Sequence, residues 1–149
     1  MPGFAPILLA AASLVSPQPF LSHVVRQIAA NQYAAAWQTL DPADQARVPL
    51  RAYVRCESAS PIPGRLVSLR ILRTGSERVT VVPGKPQRSS VAVTFALRIA
   101  GAPVPRGVRV VLTAHALRHG SSWRWMLPPK RLPLYDGTCG LPDDAAWRN

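Results

Sequence analysis

Five apolar residues spaced two apart, Val91, Val93, Phe95, Leu97 and Ile99, constrain this chain more than any other feature. Between them stand Ala92, Thr94, Ala96 and Arg98, a mixed set. Successive side chains of a strand point to opposite faces, so the pattern predicts a strand with one face buried and one face solvated. Two more alternating runs follow, over 108–117 and 123–127, and they meet at Gly120-Ser-Ser, the tight turn of an antiparallel hairpin. Gly101-Ala-Pro-Val-Pro reads as the loop before them. Upstream, residues 66–73 and 78–82 read as two further strands, the second stopped by Pro83-Gly84.

The first third has a different period. Phe20, Val24 and Ile28, then Tyr33, Trp37 and Leu40, recur three or four apart. That spacing predicts helices over 19–30 and 32–40, with Asn31-Gln32 as the interruption. Asp41-Pro-Ala-Asp opens a third helix, with Asp41 as N-cap and Pro42 at the first helical position. It is expected to run to Cys56 with a kink at Pro49. Pro61, Pro63 and Gly64 close the helical half. Helices followed by an antiparallel meander of four to five strands is an α+β order. A chain of 149 residues suffices for one domain with a real core.

The charge is lopsided. Eighteen Arg and Lys oppose seven Asp and Glu, and only Lys85 and Lys130 are lysines. From Arg78 to Tyr135 there is no carboxylate, while ten Arg or Lys fall in that span. Such an excess favours polyanions, lipid headgroups and envelope polymers among them, although joint enrichment in Arg, Ala and Pro is also the signature of a GC-rich genome. The strand positions Arg98, Arg109 and Arg124 are the candidate anion contacts.

Residues 4–15 form an apolar run of signal-peptide length, too short for a bilayer span, which takes about 20 residues. Residues 1–18 read as an export segment or an apolar tail, 19–139 as the domain, and 140–149 as a polar tail. Export to the envelope or medium is the expectation and the cytoplasm the alternative. Cys56 and Cys139 are a staple in an exported protein and two separate thiols in a cytosolic one. No CxxC or HExxH spacing points to a metal, and no cofactor motif is present.

Three stretches carry a family likeness: Asn31-Gln-Tyr-Ala-Ala-Ala-Trp-Gln-Thr-Leu-Asp-Pro, Tyr53-Val-Arg-Cys, and Gly120-Ser-Ser-Trp-Arg-Trp-Met-Leu. With the long strands they resemble the NTF2-like (cystatin-like α+β cone) superfamily, and within it the small exported proteins of actinobacteria. The likeness spans about 19–139. It implies a curved sheet around the first helix, a cone-shaped pocket and dimers through the sheet. Enzymes of that fold place Asp, Tyr, His or Arg on strands inside the cone, and a sheet without a carboxylate from Arg78 onward carries none of their acid–base patterns.

Tyr53, His115, Trp123 and Trp125 are the candidate pocket residues. Trp37 belongs to a helix's apolar stripe and is expected in the core, and Glu57 is expected at the pocket rim in a surface pair with Arg51 or Arg55. The reading that follows is a non-enzymatic exported domain. It binds an apolar or anionic ligand, or serves as a protein-assembly module at the envelope. Two alternatives stand beside it. One is a small isomerase- or hydratase-like enzyme using His115 with Tyr53. The other is a subunit of secretion or conjugation machinery. Nucleic acid is disfavoured as a partner if the chain is exported.

Overall fold

The computed structural model describes residues 16–101, 104–137 and 139–140. The apolar run and nearly all of the polar tail lie outside the described residues. Helix α1 (Pro17–Ala29) starts with prolines 17 and 19 in its first turn, where the missing N–H groups cost nothing. It buries Phe20, Leu21, Val24 and Val25. Asn31 takes φ 61°, a left-handed conformation that asparagine tolerates, and separates α1 from α2 (Tyr33–Gln38).

The long third helix of the sequence reading is instead two. α3 (Pro42–Arg47) is capped as expected, with the Asp41 carboxylate accepting from the Ala43 N–H at 3.0 Å. Val48 is then extended, as the residue before a proline prefers, and Pro49 caps α4 (Leu50–Ala59). Pro49 therefore breaks the helix where a kink was expected.

Four strands follow: β1 (Arg65–Val79), β2 (Arg88–Gly101), β3 (Val104–His119) and β4 (Ser122–Trp125). They form one antiparallel sheet in sequential order, an open meander. The two strands expected over 66–73 and 78–82 are one. β2 is continuous and pairs with all of it, and register shifts near Val67 and Leu72 absorb the irregularity. Gly64, at φ 96°, lets the chain enter β1 against the Ala100 carbonyl, where a Cβ would lie only 2.7 Å from the oxygen.

The inner face of β2 is buried as its period demands, with Val93, Phe95, Leu97 and Ile99 at most 2% exposed. α1, α2 and α4 pack on that face through Leu21, Ala36 and Tyr53. The free edge of β4 is covered by a bridge from Leu40: Asp41 N–H donates to the Trp125 carbonyl and Trp125 N–H to the Thr39 carbonyl.

The Pro-rich segment after β4 forms a 3-10 helix (Pro129–Tyr135) that buries Leu132, Leu134 and Tyr135. It also brings Cys139 to Cys56, with Cα atoms 5.1 Å apart and the sulfurs at disulfide distance. Among the described residues no helix is long and apolar enough to cross a membrane.

Candidate functional site

β4 has four residues and β3 sixteen, so β4 covers only the Ala116–His119 end of β3. Past Trp125 the chain leaves the sheet for the 3-10 helix. β3 and the departing chain therefore splay like a fork, and a cavity of about 460 Å³ lies between them. That is within the size range of small-molecule pockets. Val24 and Ile28 of α1, Leu112 of β3 and Leu127 of the departing chain supply apolar walls.

Tyr53 and Trp125 border the cavity together, with ring centroids 6.3 Å apart in an edge-on arrangement. Tyr53 is the hub of the aromatic cluster, meeting Tyr33 at 6.5 Å and Tyr135 at 5.8 Å as well. It is 1% exposed. Burial first, and the nearby Glu57 charge next, push its pKa well above the ordinary tyrosine value.

Glu57 is not the surface acid of the sequence reading. It is 6% exposed and pairs across the chain with Arg131, whose Nη2 lies 2.6 Å from its Oε1. The Tyr135 hydroxyl donates to the same oxygen. Burial raises the Tyr135 pKa, and the Glu57 charge raises it further. Burial works against the Arg131 charge, but Tyr135 and Glu57 outweigh it and hold the guanidinium protonated. Neither Arg51 nor Arg55 takes part: Arg55 reaches the Gly137 carbonyl at 3.3 Å instead. The sequence held no signal for this cluster, because residues 57 and 131 meet only through the 3-10 helix.

The other candidates disperse. His115 is the register partner of Ala92, which places it on the outer face, away from Tyr53 beneath the inner face. Both border the fork because the cavity wraps the open edge of β3. His115 Nε2 meets Glu77 Oε2 at 3.2 Å. Trp123 does not reach the cavity and lies under the Arg118 guanidinium, 4.8 Å from the ring centroid. Trp37 packs against the core and donates from Nε1 to the Val48 carbonyl at 2.8 Å.

Arg98 and Arg109 are direct register partners, both exposed on the outer face. Arg124 is elsewhere, opposite Leu117, and donates to the Gln38 carbonyl at 2.8 Å at the end of α2. Eight residues of β3 separate Leu117 from Arg109, about 26 Å of strand, so the three arginines do not converge. Register instead adds two that strand position alone did not single out. Arg70 stands opposite Ala96 and Arg73 opposite Thr94, on the same outer face.

Among the described residues no three His, Cys, Asp or Glu side chains come together as a metal site. Comparison with protein-family models, with curated proteins and with solved structures finds no match to this chain.

Proposed function

We propose that this chain is a non-enzymatic binding module of the NTF2-like type, exported to the cell envelope, that holds an apolar ligand or an apolar partner segment in the fork between β3 and the 3-10 helix. One observation carries the reading: a cavity of about 460 Å³ with apolar walls from Val24, Ile28, Leu112 and Leu127, bordered by the Tyr53 and Trp125 rings. A ligand or partner segment with an apolar body fits those walls. The absence of chemistry in this reading is supported by the state of the nearby groups. The Glu57 carboxylate is already engaged by Arg131 and Tyr135, and His115 stands on the far face of the sheet from Tyr53.

Export is supported by the approach of Cys56 to Cys139, since a pair at bonding distance belongs in an oxidising compartment. A thiol count with a mature N-terminus read from the native host tests it, and two free thiols on an intact chain would refute it. The ligand half is tested with the neutral apolar fluorophore N-phenyl-1-naphthylamine. The wild-type chain is expected to bind it. Ala114→Leu, which fills the cavity wall, is expected to lose it while retaining its circular dichroism. No binding by the wild-type chain, or equal binding by the filled variant, would sink the reading.

A further inference from the structure

The outer face of the sheet holds a lattice of arginines with nothing of opposite sign inside it. Register places Ser68, Arg98 and Arg109 in one row, Arg70, Ala96 and Val111 in the next, and Arg73, Thr94 and Thr113 in a third. Rows lie about 7 Å apart and neighbouring strands about 4.8 Å. Four guanidinium groups thus surround Ala96 and Val111, and Val111 is 43% exposed. The one carboxylate of the sheet, Glu77, sits opposite Ser90, beyond the lattice, and is engaged by His115.

Like charges directly opposite one another on neighbouring strands destabilise a sheet, and Arg98 faces Arg109 in that way. A face built at that cost, with an apolar centre, is complementary to a negative surface that also has an apolar interior. We infer that this face docks on an anionic lipid bilayer, with Arg70, Arg73, Arg98 and Arg109 against the headgroups and Val111 toward the acyl boundary. The inference goes beyond the reading above and does not depend on what fills the fork.

Other occupants fit less well. A second copy would set arginine against arginine. Single-stranded nucleic acid is held on aromatic platforms, and the three rows contain no aromatic side chain. Headgroup attraction is worth about 1 kcal/mol per basic residue near the surface and falls off within a Debye length.

Co-sedimentation of the full chain with vesicles of phosphatidylglycerol and phosphatidylcholine tests the inference. Binding is expected to the mixed vesicles, not to pure phosphatidylcholine, and to weaken with added salt. Arg98→Gln with Arg109→Gln is expected to weaken it by about 30-fold, the equivalent of two headgroup contacts. The control Arg26→Gln with Arg51→Gln, of equal charge but on the helices, is expected to change it by less than about threefold. The sheet variant is also expected to melt about 1–5 °C higher without vesicles, because the cross-strand repulsion is gone. Equal losses in the two double variants, binding to neutral vesicles, or binding to an oligonucleotide in preference to the anionic vesicles would overturn it. N-phenyl-1-naphthylamine binding, read on the same variants, is expected to be unaffected and so separates this failure from failure of the fork site.

Discussion

The two faces of the sheet treat charge in opposite ways. Among the described residues each buried carboxylate meets a partner: Glu57 meets Arg131 and Tyr135, Asp41 meets Arg88 at 2.8 Å, and Asp44 accepts the Leu127 N–H at 2.8 Å. On the far side Arg70, Arg73, Arg98 and Arg109 share three rows without one carboxylate. The net charge of +11 is therefore not an even coating. Burial forces compensation because an unpaired charge in a low dielectric costs several kcal/mol, whereas an exposed excess is tolerated by solvent and remains available to a partner. The inner face is closed by paired charges, and the outer face leaves its arginines open to solvent.

The strongest way to break the inner side is to release its C-terminal closure. Cys56→Ala with Cys139→Ala opens a loop of 83 residues. In the chain-entropy model that is expected to cost about 4–5 kcal/mol, read by urea denaturation. Next is the buried ion pair. Glu57→Leu removes the carboxylate that meets the Arg131 guanidinium at 2.6 Å, an expected loss of about 3–5 kcal/mol. Glu57→Leu with Arg131→Leu is expected to recover most of it, because an apolar pair of similar volume has no charge to desolvate. A double variant as unstable as the single one would show that Arg131 contributes through contacts other than Glu57.

Asp44 makes the inner side pH-dependent, and the sign is opposite to that of an ordinary paired carboxylate. Burial, with the nearby Asp41 charge adding to it, raises its pKa to about 6 against the pull of the Leu127 N–H, Arg47 and Arg88. A folded-state value above the unfolded one means that the fold favours the protonated acid. The stability tied to Asp44 is complete below about pH 4 and is lost as pH rises through about 6, to an upper bound of about 3 kcal/mol. Asp44→Asn keeps an acceptor for Leu127 and removes the charge. It is expected to be more stable than wild type at pH 7.5 and equal to it at pH 4, by thermal melts at the two values. An unchanged difference between the two pH values would show that Asp44 is solvated.

What was legible in the sequence divides along the same line. The strand period of Val91–Ile99 and the Asp41-Pro42 cap are local rules, and both took the expected form. The breaks were harder. Residues 66–73 and 78–82 read as two strands, yet β2 offered a continuous partner and residues 65–79 form one strand, β1. Pro49 looked like a kink and ended a helix. The Glu57–Arg131 pair and the fork depend on where a Pro-rich segment turns, which no periodicity encodes. The arginine lattice lies between these cases: strand position singled out Arg98, Arg109 and Arg124, but only register could put Arg98 and Arg109 on one face, add Arg70 and Arg73 and remove Arg124.

The smallest expected effect sharpens the outer side. Glu77 is the sheet's one acid and it meets His115 as a largely exposed pair, with Glu77 55% and His115 21% exposed at the side chain. Exposed pairs are worth about 0–1 kcal/mol, so Glu77→Gln is expected to leave the melting temperature nearly unchanged. Its effect on vesicle binding discriminates between two accounts of the basic face. Ser90, opposite Glu77, lies eight residues along β2 from Arg98, about 26 Å of strand. The Debye length at physiological salt is about 8 Å, so the Glu77 charge is screened from the Arg98–Arg109 row. If the lattice itself docks, Glu77→Gln changes vesicle affinity by less than about twofold, while the arginine pair variant loses most of it. If net charge alone drives association, one negative charge removed raises affinity by about as much as one arginine removed lowers it, and the lattice has no special role.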